Sequence, residues 1–223
     1  MAESRLLLIA DIGGYTKYMS VHRMSLAHAQ ANVARLLEAV IDAAPSLELI
    51  ELEGDAVFFS RAADGESAGA AREAAIAMHR AFHEEQRRVV GNLCPCDGCR
   101  RAGQLTLKFV AHVGEVAAQT VRRRTTLVGP DVILVHRLLK NSVPVPEYVL
   151  FTAGLARGDD AVPLELELEG LGPVQTYFVD LAALGDPLPP AEEAPLPSRL
   201  GETLRVLARG MPYFVGLKRV APA

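Results

Sequence analysis

Two aspartates sit where a chain could hold a divalent cation. Asp11 lies in Ala10-Asp11-Ile12-Gly13-Gly14-Tyr15-Thr16, directly after the apolar run Leu6 to Ile9. Asp55 lies in Glu53-Gly54-Asp55-Ala56-Val57, between two further apolar runs. Each reads as a strand that delivers one carboxylate to a glycine-bearing turn. Carboxylates so placed on adjacent strands suit a hard cation such as Mg²⁺, which takes oxygen ligands and keeps room for phosphates. Spacing alone equally allows two turn aspartates with no ligand. A second group is Cys94-Pro95-Cys96-Asp97-Gly98-Cys99. Three thiols so close in a Gly/Pro loop fit zinc-ligand spacing, with the fourth ligand supplied by His83 or His79, a turn apart on the preceding helix, or by His112. The same spacing fits a loop of free thiols. In a reducing compartment these cysteines are not expected to form structural disulfides.

The elements that must position these groups follow from periodicity. Arg5 to Ile12 is a continuous apolar run, as in a strand covered on both faces. Val33, Leu36, Leu37, Val40 and Ile41 have the spacing of a helix stripe that ends near Pro45. Leu47 to Leu52 and Ala56 to Ser60 read as a hairpin with Asp55 at its tip. Glu66 to about Val90 is a long helix carrying Ala71, Ala75, Met78 and Phe82 on one side. Residues 91–103 interrupt the pattern as a cysteine-rich insertion. Strands follow at Leu105 to His112 and Val116 to Val121, then a helix with Pro130 in its first turn, where a missing N–H costs nothing. Tyr148 to Thr152, Leu164 to Leu168 and Val174 to Val179 complete the sheet. The order β-α-β-β-α-β predicts an α+β fold, a ferredoxin-like sheet with helices packed on one face.

Composition narrows the function classes. The chain has 223 residues, half of them hydrophobic, which is enough for one domain with a proper core and a tail. A net charge of −4 argues against a general nucleic-acid binder, and Arg122-Arg123-Arg124 reads as a solvated hairpin tip. No apolar stretch approaches the ~18 residues of a membrane span, and no leader pattern precedes the first strand, so a cytoplasmic protein with no membrane insertion is expected. The domain is placed at residues 1–182. Beyond it, at 183–223, the acidic, proline-rich stretch Asp186 to Pro195 reads as a linker. Ser198 to Arg209 then reads as a short helix (Leu200, Leu204, Leu207) that docks on the body or on a protein partner.

Several short motifs in order carry a family resemblance. Asp-Ile-x-Gly-(aromatic)-Thr is followed by Gly-Asp-Ala-Val, His112-Val113-Gly114-Glu115, Leu127-Val128-Gly129 opening a helix with Arg137, and Leu168-Glu169-Gly170-Leu171-Gly172-Pro173-Val174. From about Arg5 to about Leu181 the chain resembles the class III nucleotidyl cyclase catalytic domain, in a divergent bacterial branch. The resemblance implies a cyclase-type sheet and a homodimer that binds a nucleoside triphosphate with two Mg²⁺ or Mn²⁺ ions on Asp11 and Asp55. It implies that the backbone of Ile12, Gly13, Gly14, Tyr15 and Thr16 cradles the triphosphate, and that Arg137 from the other protomer is catalytic. The base readers would be Glu51, which suits guanine, and Thr126, which fits adenine-type enzymes, so the base stays open. One position departs from the pattern: Ile133 stands where the family carries an asparagine that stabilises the transition state. Asn141, one turn past Arg137, could take that role only on a shifted helix. The implied activity is formation of a 3′,5′-cyclic nucleotide, slow or altered. The alternatives are an inactive homologue that senses nucleotide, or a scaffold that recruits a protein through its cysteine loop and tail.

Overall fold

The computed structural model describes residues 2–20, 23–156, 158, 160–184 and 195–214. Its centre is β1 (Glu3–Gly13), whose apolar run is buried on both faces. β1 pairs antiparallel with β3 (Ala56–Ala62) on one side and with β4 (Thr106–Val121) on the other. β2 (Glu48–Glu53) extends the first side. β6 (Tyr148–Thr152), β8 (Gly172–Asp180) and β7 (Val162–Leu168) extend the second. The strand order is β2-β3-β1-β4-β6-β8-β7, with β5 (Arg124–Val128) paired to the far end of β4.

Alternation along β1 divides the core in two. Leu6, Leu8, Ala10 and Ile12 meet α2 (Arg23–Asp42) and α3 (Ser67–Val90). Leu7 and Ile9 belong to the opposite cluster, which holds Val135 and Leu138 of α5 (Pro130–Arg137) and the turn after it. The α+β class is as expected, with the two long helices on one face; the short α5 lies on the other. Short helices α1 (Tyr15–Met19), α4 (Asp97–Arg100) and α6 (Leu181–Leu184) follow β1, the cysteine loop and β8.

Two elements differ from the reading of the sequence. The strands expected at Leu105 to His112 and Val116 to Val121 are one strand, β4, whose first part pairs with β1 and β6 and whose second part pairs with β5. Gly114, which breaks the apolar pattern, sits inside it because the Asp131 side chain crosses there: a Cβ on Gly114 would stand 2.2 Å from Asp131 Cγ. The tail helix α7 runs from Leu196 to Phe214 and packs against α2. Arg199 Nε donates to Gly91 O at 3.0 Å, and Leu93 N donates to Thr203 Oγ1 at 2.9 Å. Leu200, Leu204 and Leu207, the stripe expected to dock, stay exposed. The expected linker, residues 186–194, lies outside the described residues. Among the described residues no helix is long and apolar enough to cross a membrane.

Candidate functional site

Strand register sets the carboxylates. Asp11 follows Leu7 and Ile9 in the odd-numbered register of β1, so it emerges on the α5 face beside Ala56, its partner on β3. Ile12 N donates to Asp55 O at 3.1 Å, which ties the hairpin tip to the end of β1. Burial and the neighbouring Asp11 carboxylate push the Asp55 acid above its usual range. Two crowded carboxylates of this kind favour a cation between them. One is already present in the chain: Lys108, the β4 partner of Asp11, places Nζ 3.0 Å from Asp11 Oδ2. The residues therefore fit a divalent ion by charge and oxygen chemistry, provided that the ammonium yields its place. Gly14 follows with φ 82°, a left-handed conformation that glycine adopts at no steric cost, and opens α1. Tyr15, next along, is raised in pKa by burial and then by Asp55.

The other predicted residues are distributed as follows. Glu51 is exposed on β2 opposite Phe58, on the α5 face. Thr126 lies on β5, paired with Gln119. Arg137 ends α5 and gives its guanidinium to its own chain, donating to Glu169 O in the turn between β7 and β8, with Glu169 Oε2 3.7 Å away. Ile133 is 54% exposed and lines, with Val132, His136, Arg137, Glu167 and Glu169, a groove of about 620 Å³. Asn141 cannot replace the missing asparagine. Its Nδ2 donates to Leu138 O at 2.7 Å, and its Oδ1 accepts from Val143 N and Tyr148 Oη. Two polar contacts of this face went unforeseen. His136 Nε2 meets Glu53 Oε1 at 2.8 Å, joining α5 to the Asp55 hairpin. Asp131 takes the His112 Nε2 proton at 2.9 Å and the Glu115 N–H at 2.7 Å.

The histidines expected at the cysteines are placed elsewhere. His112 Nδ1 lies 2.8 Å from Thr152 Oγ1, on the α5 face. His79 and His83 turn to Glu147: their Nε2 atoms lie 3.1 and 2.8 Å from its two oxygens. Gln86 spends both amide protons on Ala102 O and Leu105 O, so its Oε1 must accept from His83 Nδ1. Both ring nitrogens of His83 then donate. Burial would lower its pKa, but the Glu147 carboxylate outweighs that and raises it. Glu147, in turn, is partly buried, which would raise its pKa, yet the two imidazoles and the Leu107 N–H bring it down to about 2. This cluster is an ion-paired clamp between α3 and the entry to β6. The residue that joins Cys94, Cys96 and Cys99 is His28 of α2. No local spacing signals it, because the cysteines are 66 or more residues away. The one hint is the polar series His28, Asn32, Arg35 on a single helix face, which reads as solvated but is buried.

The fold has clear relatives among solved structures. A bacterial light-regulated adenylyl cyclase aligns over 82% of this chain and 92% of its own, at 17% identity and a TM-score of 0.59. The guanylyl cyclase Cya2 aligns over 80% and 92%, at 17% identity and 0.59. The adenylyl cyclase CyaB from P. aeruginosa aligns over 80% and 94%, at 20% identity and 0.58. At these identities the likeness is one of fold. In sequence, the chain is 38% identical over 194 residues to the uncharacterized protein Rv2561/Rv2562 of Mycobacterium tuberculosis, covering 84% of this chain and 91% of that one. The profile of the family described as "Protein of unknown function (DUF2652)" matches residues 33–148, slightly more than half of the chain. With a cyclase-type fold and that relative, the chain belongs to this family.

Proposed function

We propose that the chain binds a nucleoside triphosphate with a divalent cation on the α5 face of the sheet and forms a 3′,5′-cyclic nucleotide slowly. The observation that carries this reading is the crowding of Asp11 and Asp55 at the turn where Gly14 takes a left-handed conformation. Asp11 and Asp55 would hold Mg²⁺ or Mn²⁺, which would neutralise phosphate charge. Residues Gly13 to Thr16 would present backbone N–H groups to the phosphates, while the Ile12 N–H stays on Asp55 O. Lys108 keeps Asp11 neutralised until the ion arrives, so binding includes a handover of that carboxylate. A homodimer is part of the proposal, since Arg137 would serve the other protomer's site after leaving Glu169.

A second reading, nucleotide sensing without turnover, is favoured by the α5 helix itself. Ile133 offers no hydrogen-bond donor, Arg137 is engaged at Glu169, and Asn141 is consumed in capping. Loss of one transition-state donor costs about 10²–10³ in rate. The test incubates the protein with Mn²⁺ and each of ATP, GTP, CTP and UTP, with product analysis by mass spectrometry beside Asp55→Ala. A cyclic product absent from the variant supports turnover and names the base. A nucleotide- and Mn²⁺-dependent thermal shift without product supports the sensor. Neither product nor shift overturns both.

A further inference from the structure

On the face of the sheet away from Asp11, the loop between α3 and β4 folds its cysteines over α2. His28 Nδ1 lies 3.3 Å from Cys96 Sγ, 3.5 Å from Cys94 Sγ and 3.9 Å from Cys99 Sγ. A single ring nitrogen has one proton or one lone pair to offer, so three sulfurs around it are not a hydrogen-bond arrangement. They are the edges of a tetrahedron. With metal–sulfur bonds of about 2.3 Å and metal–nitrogen bonds of about 2.0–2.1 Å, tetrahedral angles place each sulfur about 3.6 Å from the nitrogen. The three observed distances bracket that value, and all four ligand atoms lie within 4.8 Å of one another.

The surroundings are built for such a centre. His28 is 3% exposed and Cys99 2%. Cys99 N and Arg100 N both donate to Cys96 O, closing the turn that brings Cys96 and Cys99 to the same side. Asn32, one turn after His28, donates to Gly98 O at 3.1 Å and lies 3.8 Å from Cys99 Sγ. Asn92 Oδ1 accepts from Cys94 N at 2.7 Å. Three thiolates and an imidazole form a soft donor set with no carboxylate, which selects zinc over magnesium or calcium. Four protein ligands leave no open position, so the site is structural rather than catalytic.

We propose that His28, Cys94, Cys96 and Cys99 bind one zinc ion that fastens the α3–β4 loop to α2. The centre also reaches the turn after β1, because the Tyr18 hydroxyl in α1 donates to Gly98 O and accepts from Asn32 Nδ2. The intact chain, purified under reducing conditions from zinc-supplemented culture without chelator, is expected to contain one zinc per chain by plasma mass spectrometry. His28→Ala removes one of the four ligands and should lower zinc affinity by more than the roughly 10–100-fold that loss of an outer-shell partner costs. His28→Cys should restore stoichiometric metal, and its cobalt-substituted form should show the spectrum of four thiolates in place of three thiolates and a nitrogen. His79→Ala and His83→Gln should keep the zinc. Zinc-free protein with reduced thiols overturns the proposal, as does a coloured iron centre. Unchanged affinity and an unchanged cobalt spectrum in His28→Ala do the same. None of these readouts involves nucleotide, so they stand apart from the test of the cyclase reading.

Discussion

On the α5 face the polar groups around the Asp55 hairpin are carried largely by strand ends: Asp11 on β1, Lys108 on β4, Glu53 on β2. On the other face they are carried by helices: His28, Asn32 and Arg35 on α2, Glu85 and Gln86 on α3. The first set stays partly open, with Asp11 and Lys108 side chains 18% and 23% exposed. The second set is closed, Asn32 at 0% and Arg35 at 6%, and its members bond inside the fold: Arg35 to Glu85, Asn32 to Tyr18 and Gly98, Gln86 to Ala102 and Leu105. A carboxylate left crowded and half open can exchange its counter-ion, whereas a buried pair cannot do so without unfolding. Polar groups on one face are therefore available to a ligand, and those on the other assemble the protein.

Five variants test that contrast. The largest effect is expected on the open face: Asp55→Ala should weaken Mn²⁺-dependent nucleotide binding by about 100-fold or more. Asp55→Asn should leave Tm unchanged or slightly higher, since burial and Asp11 already disfavour the charged form. A fall of several degrees would mean that the aspartate is a structural turn residue. Arg35→Ala should cost about 3 kcal/mol in urea unfolding, because it strips the buried Glu85 of its 2.6 Å partner, although Arg88 remains at 3.1 Å. A loss below about 1 kcal/mol would refute the closed-face description.

The Glu147 clamp gives a pH signature. Its folded pKa of about 2 lies below the ordinary 4.5, so its stabilisation is present above pH 4.5 and lost as pH falls toward 2. His83 is raised above 6.5, so its share is full below 6.5 and lost as pH rises through the elevated value. Urea midpoints should form a plateau between those limits. Glu147→Gln should flatten both shoulders and cost about 1–3 kcal/mol on the plateau, as for a partly buried ion pair. Identical pH profiles for the two proteins would remove the clamp. A smaller effect on binding is expected from Lys108→Met, which frees Asp11 and should tighten Mn²⁺ about tenfold by calorimetry. Weaker Mn²⁺ binding would instead make Lys108 part of the ligand site.

The faces also differed in legibility. Strand period and turn glycines are local signals, so β1, the Gly54-Asp55 hairpin and the α5 start at Pro130 could be read directly. The α5-face candidates Asp11 and Asp55 came with them. The helix face depends on which residues meet across long separations. His28 and Cys94 carry no mark of their partnership, and a polar helix face looks the same whether it meets water or another helix. His79 and His83 were near the cysteines in sequence, but their Nε2 atoms meet the Glu147 carboxylate instead. Gly114 misled for a related reason: a glycine that admits the Asp131 side chain looks in sequence like a strand end.

The central position of β1 has a consequence for how the chain is made. Leu8 pairs with Phe59 on one edge and with Ala111 on the other. β1 ends at Gly13 and is made before either partner, whereas β4 begins only at Thr106, so its second edge is covered late. Until then Leu6 to Ile9 present an open, uncharged β-template of the kind that nucleates aggregation. A nascent chain stalled after β3 has one protected edge and one exposed edge. The hazard for this fold lies in the interval before β4 arrives.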